Sequence, residues 1–418
     1  MFKRILSLLL LCLLVLPAAR AEEHPEYLSR TLMTMDYFST TSTLVIFDDF
    51  KQPGRMEKLT ETWAEIKEIL ASLDALLSLS NLDSDCARFN ALPSDASMQV
   101  SDAALEILRI SETVNDTTGG LYDPTVSRLV DLYGFSPRFT PSGYQPTEAY
   151  DRPRLAGRSF SSPDARYVDA FRGLVSFPEV DWASGTVKKT APDVVVDGVS
   201  YAQTIDLGSI GKGYAVDLVM ALLRERGYEY GYFSCGGSSI GVLKRGKASK
   251  GAPLPAQWGV AIEKPRFSTN DSQIALRVFT NDTCLSTSGD DAHTYTLDGV
   301  RYCHIVDPRT GRPINVTDDG SPQRGLCAVT VYGENAALCD AWSTALSVAG
   351  LTQSLEWINS GVLNGCDVVM IVYADSTDYC EFVTTLSESS YEVTDPDHFV
   401  LASDWVNGVL TYTGKLLA

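Results

Sequence analysis

Histidine is scarce in this chain of 418 residues. Only His24, His293, His304 and His398 occur, and none stands at zinc-ligand spacing from another or from a cysteine. Nine cysteines are scattered without a single C-x-x-C pair, which removes the usual zinc and dithiol patterns. Cations are also short, with 34 Lys and Arg against 53 Asp and Glu. A surface so acidic repels nucleic acid and anionic lipid, so neither is an expected partner. Beyond the N-terminus no apolar run is long enough to cross a bilayer. The chain has no internal repeats, no regular βαβ alternation, and neither the Walker nor the Rossmann glycine spacing.

The first residues form a targeting segment. Lys3 and Arg4 precede an apolar run from Ile5 to Leu16, Pro17 breaks it, and Ala19-Arg20-Ala21 makes a small-x-small site. This is the layout of a secretory signal peptide over residues 1–21, with Cys12 in its apolar core, and it implies an exported, extracytoplasmic protein. Cleavage there removes three cations and no acid, so 31 cations face 53 acids and the net charge becomes −22. The eight remaining cysteines are expected mostly as small buried hydrophobes.

Residues 22–34 are expected as a short polar lead-in and 35–418 as one catalytic domain. Thr41 to Phe47 alternates as a strand. Leu59, Trp63, Ile66, Leu70, Leu73 and Leu77 recur at helical spacing and predict a long amphipathic helix from Met56 to Leu79. Ser101 is a plausible N-cap for a second helix carrying Ala104, Ile107, Leu108 and Val114. Residues 136–165, rich in Pro, Ser, Gly and Arg, are expected as an irregular insertion. Further helices are expected near Lys212 to Arg226 and Ala336 to Val348, between strand-like segments. The mixture is α+β.

Three clusters carry candidate chemistry. Asp206-Leu207-Gly208-Ser209-Ile210-Gly211-Lys212-Gly213 sits where a strand gives way to a helix, and such a turn presents backbone N–H groups to a phosphate. Asp340 and Thr344 are one helical turn apart, so both oxygens leave one face and could hold a hard cation such as Mg²⁺. A solvent-facing Asp with a back-bonded Thr has the same spacing, but the flanking apolar residues make this helix a buried one, where a carboxylate needs a partner. His304-Ile305-Val306-Asp307-Pro308-Arg309-Thr310-Gly311 is an apolar strand with a histidine entering a tight turn, which fits a structural His and a turn-capping Asp307 as well as a catalytic pair. Upstream lie Ser286-Thr287-Ser288-Gly289-Asp290 and Cys235-Gly236-Gly237-Ser238.

In their order and separation these blocks resemble the ApbE-type FAD:protein FMN transferase family. The resemblance rests on D-L-G-x-I-x-K-G-Y-A-x-D at 206–217, S-T-S-G-D at 286–290, H-I-x-D-P-R-T-G-x-P at 304–313 and D-A-x-S-T-A-L at 340–346. Phe38-Ser39-Thr40, Asp83 to Asn90, Asp123-Pro124-Thr125 and Tyr133-Gly134-Phe135 extend it, so that it runs from about residue 34 to at least 350. Three departures stand out, one being that the insertion at 136–165 is longer than is usual in the family. Family members often carry Gly-Gly-Asn where this chain has Gly236-Gly237-Ser238, and Ser80 replaces an aromatic of some relatives.

The resemblance implies an ApbE-like, T-fold-related catalytic domain that takes FAD as substrate, uses Mg²⁺, and attaches FMN through a phosphoester to a Ser or Thr of an acceptor protein, releasing AMP. It implies FAD contacts from Phe38, Ser80, Leu121, Tyr122, Asp123, Asp206, Lys212, His304 and Ile305. The metal would be held by Ser209, Asp340, Ser343 and Thr344. His304 would serve as base, supported by Asp307 and Asp290. The rival readings are a metal-dependent FAD pyrophosphatase and a non-catalytic exported FAD-binding protein.

Overall fold

A computed structural model of the chain describes residues 28–135, 163–245, 257–265, 274–290, 294–297, 300–316, 325–363, 365–373 and 379–417. The segment Asp367–Tyr373 shows how the molecule is layered. Val368, Met370 and Val372 join a core made with the helices, whereas Val369 and Ile371 join a second core on the other side. A strand buried on both faces needs apolar side chains at successive positions, which Val-Val-Met-Ile-Val supplies.

This strand is the seventh of nine in a central sheet. In chain order they are β1 (Leu28–Thr34), β2 (Ser42–Asp48), β3 (Gly231–Cys235), β4 (Ser239–Val242), β5 (Thr283–Gly289), β6 (Gly325–Gly333), β7 (Asp367–Tyr373), β8 (Cys380–Thr384) and β9 (Phe399–Leu401). Their spatial order is the same, β1 to β9. Neighbours are antiparallel throughout except β8 and β9, which run parallel. The helices are α1 (Arg55–Leu77), α2 (Asp85–Ala91), α3 (Asp102–Thr118), α4 (Ser127–Leu132), α5 (Ala165–Arg172), α6 (Gly208–Glu225) and α7 (Ala336–Ser360). Helix α6 lies against β3 and β4, and α7 against β5 and β6; α1 backs α6, and α3 backs α7. A three-stranded sheet of Trp258–Glu263, Ile274–Thr280 and Tyr391–Val393 contributes the second core. The architecture is the α+β one expected.

Local physics accounts for the helices. The expected apolar stripe of α1 is inward, with Leu59, Ile66, Leu70, Leu73 and Leu77 buried and Trp63 packed partly against them. Ser101 caps α3 by accepting the Ala104 N–H at 3.2 Å, and Gly119 ends that helix at φ +62°. Among the described residues no helix is long and apolar enough to cross a membrane.

Three expectations need correction. Residues 28–34 are not lead-in but the edge strand β1, in register from Leu28 opposite Asp48 to Thr34 opposite Ser42. Only Thr34 of that strand is buried, so no apolar alternation marked it. Helix α6 begins at Gly208, so the glycine cluster forms its first turns rather than a turn before it. Helix α7 runs on to Ser360, interrupted at Gly350, where φ +73° and ψ 175° depart from helical values. Residues 1–21 and most of the insertion at 136–165 lie outside the described residues.

The crossing of α6 and α7 is unusually close. A Cβ placed on Gly213 would stand 2.4 Å from the carbonyl oxygen of Ala336. Gly213→Ala should therefore force the helices apart and cost about 1–3 kcal/mol, as overpacking of a tight core does. Urea unfolding of the variant checks this, and an unchanged midpoint would mean that the contact is loose.

Candidate active site

The N-terminal ends of α6 and α7 meet at a cavity of about 460 Å³. Its walls come from the turn after β1, the segment after α3, the start of α6, the β3–β4 turn, the end of β5, α7, and the residues around His304, which stands at a bend between the short strands Val300–Cys303 and Val306–Asp307 and not in a strand as expected. Several walls are fixed by side chains bonded to backbone. Phe38 and Ser39 both hold positive φ, +54° and +51°, a conformation that costs a non-glycine residue about 1 kcal/mol or more. Asp74 of α1 holds this turn by accepting the Phe38 N–H at 3.0 Å. Asn90 clamps the approach to α6, donating to the Ile205 carbonyl and accepting the Ile205 N–H, at 3.0 and 2.7 Å. Asp206 then accepts the Gly208 N–H at 2.8 Å.

Two carboxylates tie the helices together. Asp217 of α6 accepts the N–H groups of Ala336 and Ala337 at 2.7 and 2.9 Å, capping α7. Asp340 of α7 accepts the N–H of Gly213 at 3.0 Å. Burial pushes the Asp217 carboxyl up to about 6, against the two amide bonds that favour its charge. Burial also raises the Asp340 carboxyl, opposed by the Lys212 ammonium, the Gly213 N–H and the hydroxyls of Ser239 and Ser286. The result is a carboxylate facing a cavity with partial compensation.

Hydroxyls surround it. Ser288 lies 2.8 Å from the Ser343 hydroxyl and 3.1 Å from that of Thr344, and Tyr122 places its hydroxyl 3.1 Å from Ser209. Asp123, also on the wall, accepts from the Thr125 N–H and hydroxyl at 2.8 and 2.6 Å, and from Asn115 at 3.3 Å. His304 lines the cavity with its ring edge-on to Phe135 at 6.4 Å.

The comparisons with known proteins bear on this arrangement. A model described as the ApbE family matches residues 38–370. The chain belongs to the ApbE family. An FAD:protein FMN transferase of Escherichia coli (strain K12) is 32% identical over 301 residues, 70% of this chain and 73% of the relative. One from Haemophilus influenzae is 28% identical over 395 residues, covering 94% of this chain and 99% of the relative. Among solved structures, the apo form of the Pseudomonas stutzeri flavinyl transferase ApbE superposes with a TM-score of 0.63 at 26% identity, covering 89% of this chain and 97% of that one. The flavin transferase ApbE from Vibrio cholerae gives 0.63 at 28%, covering 87% and 98%.

The cavity gathers Phe38, Leu121, Tyr122, Asp123, Asp206, Ser209, Lys212, His304, Ile305, Asp340 and Thr344, the greater part of the residues that the ApbE resemblance singled out. Four others stand elsewhere. Ser80 is exposed and bonded to Ser78 rather than on the cavity wall. Ser343 is buried behind the wall, donating to the Asp340 carbonyl at 2.9 Å and lying 2.8 Å from the Ser288 hydroxyl. Asp307 is bound to Arg309, accepting its backbone N–H at 2.8 Å and its guanidinium at 2.7 Å, so its charge shapes the turn instead of facing the cavity. Asp290 is fully buried one residue past the lining residue Gly289, its N–H donating to Cys327. Sequence reasoning missed Asp217, Asn90 and Asp74 as positioning residues. Asp217 does close the D-L-G motif, and its place about two and a half turns from Gly208 was the one available signal.

Two outcomes are expected. Asp217→Ala leaves two N–H groups of α7 without their acceptor and should cost about 2–3 kcal/mol in urea unfolding, the scale of a charged cap; a loss below the measurement error would remove Asp217 from this role. Asp123 bears on pH. Burial lifts its carboxyl from 3.8 to about 6, outweighing the bonds from Thr125 and Asn115. A carboxyl raised on folding adds stability that is complete below its unfolded value and is lost as pH rises through about 6. Asp123→Asn has no such titration, so its melting temperature should gain on that of the parent protein between about pH 4 and pH 7. A constant difference across that range would show that the carboxyl is not raised.

Proposed function

We propose that this chain is an exported FAD:protein FMN transferase that attaches FMN through a phosphoester to a Ser or Thr of an acceptor protein, with release of AMP. The observation that carries the reading is Asp340: a fully buried carboxyl aimed at a cavity it shares with Lys212, Thr344 and His304. Charged hydrogen bonds contribute about 1.5–3 kcal/mol each, and an isolated buried charge costs more than a few of them return. A divalent cation would complete the compensation, and the donors fit one. Asp340, Thr344 and Ser209 offer oxygen, the choice of Mg²⁺. Among the described residues no three His, Cys, Asp or Glu side chains converge as a metal site, so Asp340 would be the one carboxylate, with hydroxyl and phosphate oxygens as the other partners. Bound there, Mg²⁺ would supply neutralisation of pyrophosphate charge as the bridging bond breaks.

The chain's own residues do the rest. The Lys212 ammonium and the positive end of the α6 dipole bind the pyrophosphate, the local positive charge that an acidic protein needs for an anionic substrate. Phe38 and Tyr122 offer apolar surface to the rings, with Tyr122 held by Ser209. His304 takes the proton of the acceptor hydroxyl as that oxygen bonds to the FMN-side phosphorus and AMP leaves. Asp307 and Asp290 have no direct part in this reading.

The test is a denaturing gel of the purified protein with FAD, Mg²⁺ and a threonine-containing acceptor peptide, scored for covalent flavin fluorescence and for AMP. Labelling with stoichiometric AMP is expected, abolished by EDTA and lowered about 100-fold or more in Asp340→Asn and in His304→Ala. AMP release with no acceptor labelled would favour the pyrophosphatase, and retained FAD with neither product would favour a binding protein. Full transfer by His304→Ala with unchanged FAD affinity would give the proton to another group.

A further inference from the structure

We infer that Cys339 and Cys366 form a redox pair, a modification site at which a small disulfide oxidant closes a bond between the first turn of α7 and the entry to β7. The sequence hides this pair, since its members are far apart and share no motif. The structure joins them beside Gly333, the last residue of β6. Their two sulfurs lie 3.1 and 3.0 Å from the point where a Cβ on Gly333 would stand, so a side chain there would take the space both thiols use. Both cysteines are free, and their sulfurs border the same small space beside Gly333. Closing the bond needs the approach of two sulfurs that already border one space.

Their surroundings divide the labour. Cys339 is fully buried, whereas Cys366 is half-buried and meets solvent on a turn held by its N–H bond to the Leu363 carbonyl at 3.1 Å. The neighbouring Cys339 thiol holds the Cys366 thiol below its ordinary value, which favours the thiolate at the accessible partner. The Cys366 thiolate attacks one sulfur of the oxidant, forming a mixed disulfide and expelling a thiolate. Cys339 then attacks the Cys366 sulfur, the second thiol of the oxidant leaves, and the proton of Cys339 goes to a departing thiolate. Two cysteine thiols are oxidised by two electrons and one disulfide is reduced to two thiols.

Cys284 is the rival partner. It faces Gly333 across the β5–β6 register and interacts electrostatically with Cys339. Its thiol is buried and pushed up to about 12, and its sulfur is not among the atoms nearest the Gly333 point that Cys339 and Cys366 share.

The purified protein, first reduced, is incubated with oxidised glutathione, alkylated with N-ethylmaleimide in denaturant, and analysed whole and after digestion. A Cys339–Cys366 cross-linked peptide is expected, with a whole-protein mass lower by about 2 Da before alkylation. The melting temperature should rise by about 3–5 °C, the effect of closing a loop of this length in a chain of this size. Cys366→Ser should show neither change. The primary readout uses the unmutated protein, so it does not depend on how a variant folds. Glutathione retained on Cys366, a bond from Cys339 to Cys284, or both cysteines alkylated after treatment would each overturn the pair.

Discussion

The site depends on an exchange of carboxylates between two helices. Helix α6 gives Asp217 to the first N–H groups of α7, and α7 returns Asp340 to the N–H of Gly213 near the start of α6. The first bond is a helix cap, an anion on the positive end of a dipole. The second joins side chain to backbone across a crossing so close that only glycine fits at 213. Remove either and the helices lose their common register. With both in place, the residues that bear chemistry fall on one wall: Ser209 and Lys212 from α6, Asp340 and Thr344 from α7.

That exchange is costly as a device for stability alone. The two carboxyls are both buried and close enough for Asp340 to raise Asp217. Asp217 returns stability by accepting two N–H groups of α7, whereas Asp340 has one backbone N–H against the desolvation of a fully buried charge. A carboxylate kept there, at the edge of a cavity and beside Lys212, is better explained by what enters the cavity than by what holds the fold.

What could be seen in the sequence follows from how locally each feature is encoded. The stripe of α1 and the Ser101 cap need only their own neighbours, and both stand as expected. The motif blocks marked most of the cavity wall because they lie where the chain turns toward it. Strand β1 was invisible because an exposed edge strand has no inward face to mark it, and its pairing with β2 is a property of the sheet. Asp307 and Ser343 belong to the same blocks as true wall residues, yet a side chain two or three places along points elsewhere, and only coordinates show Asp307 on Arg309 and Ser343 on the Asp340 carbonyl. Asn90 and Asp74 act on backbone over 115 and 36 positions of sequence, a range that no motif spacing reports.

A further division of labour follows. Apolar packing sets the layers, but the cavity walls are set by side chains bonded to backbone: Asp74 on Phe38, Asn90 on Ile205, Asp123 on Thr125, Asp206 on Gly208. Packing tolerates small slips because many weak contacts can rearrange, whereas a hydrogen bond weakens steeply when its angle is lost. Turns anchored in this way can hold positive φ at Phe38 and Ser39, a geometry that packing alone would let relax. Phosphoryl chemistry relies on position more than on a strong nucleophile in the protein. A wall built from directional bonds, on a sheet that supplies the bulk of the stability, is the construction such chemistry requires.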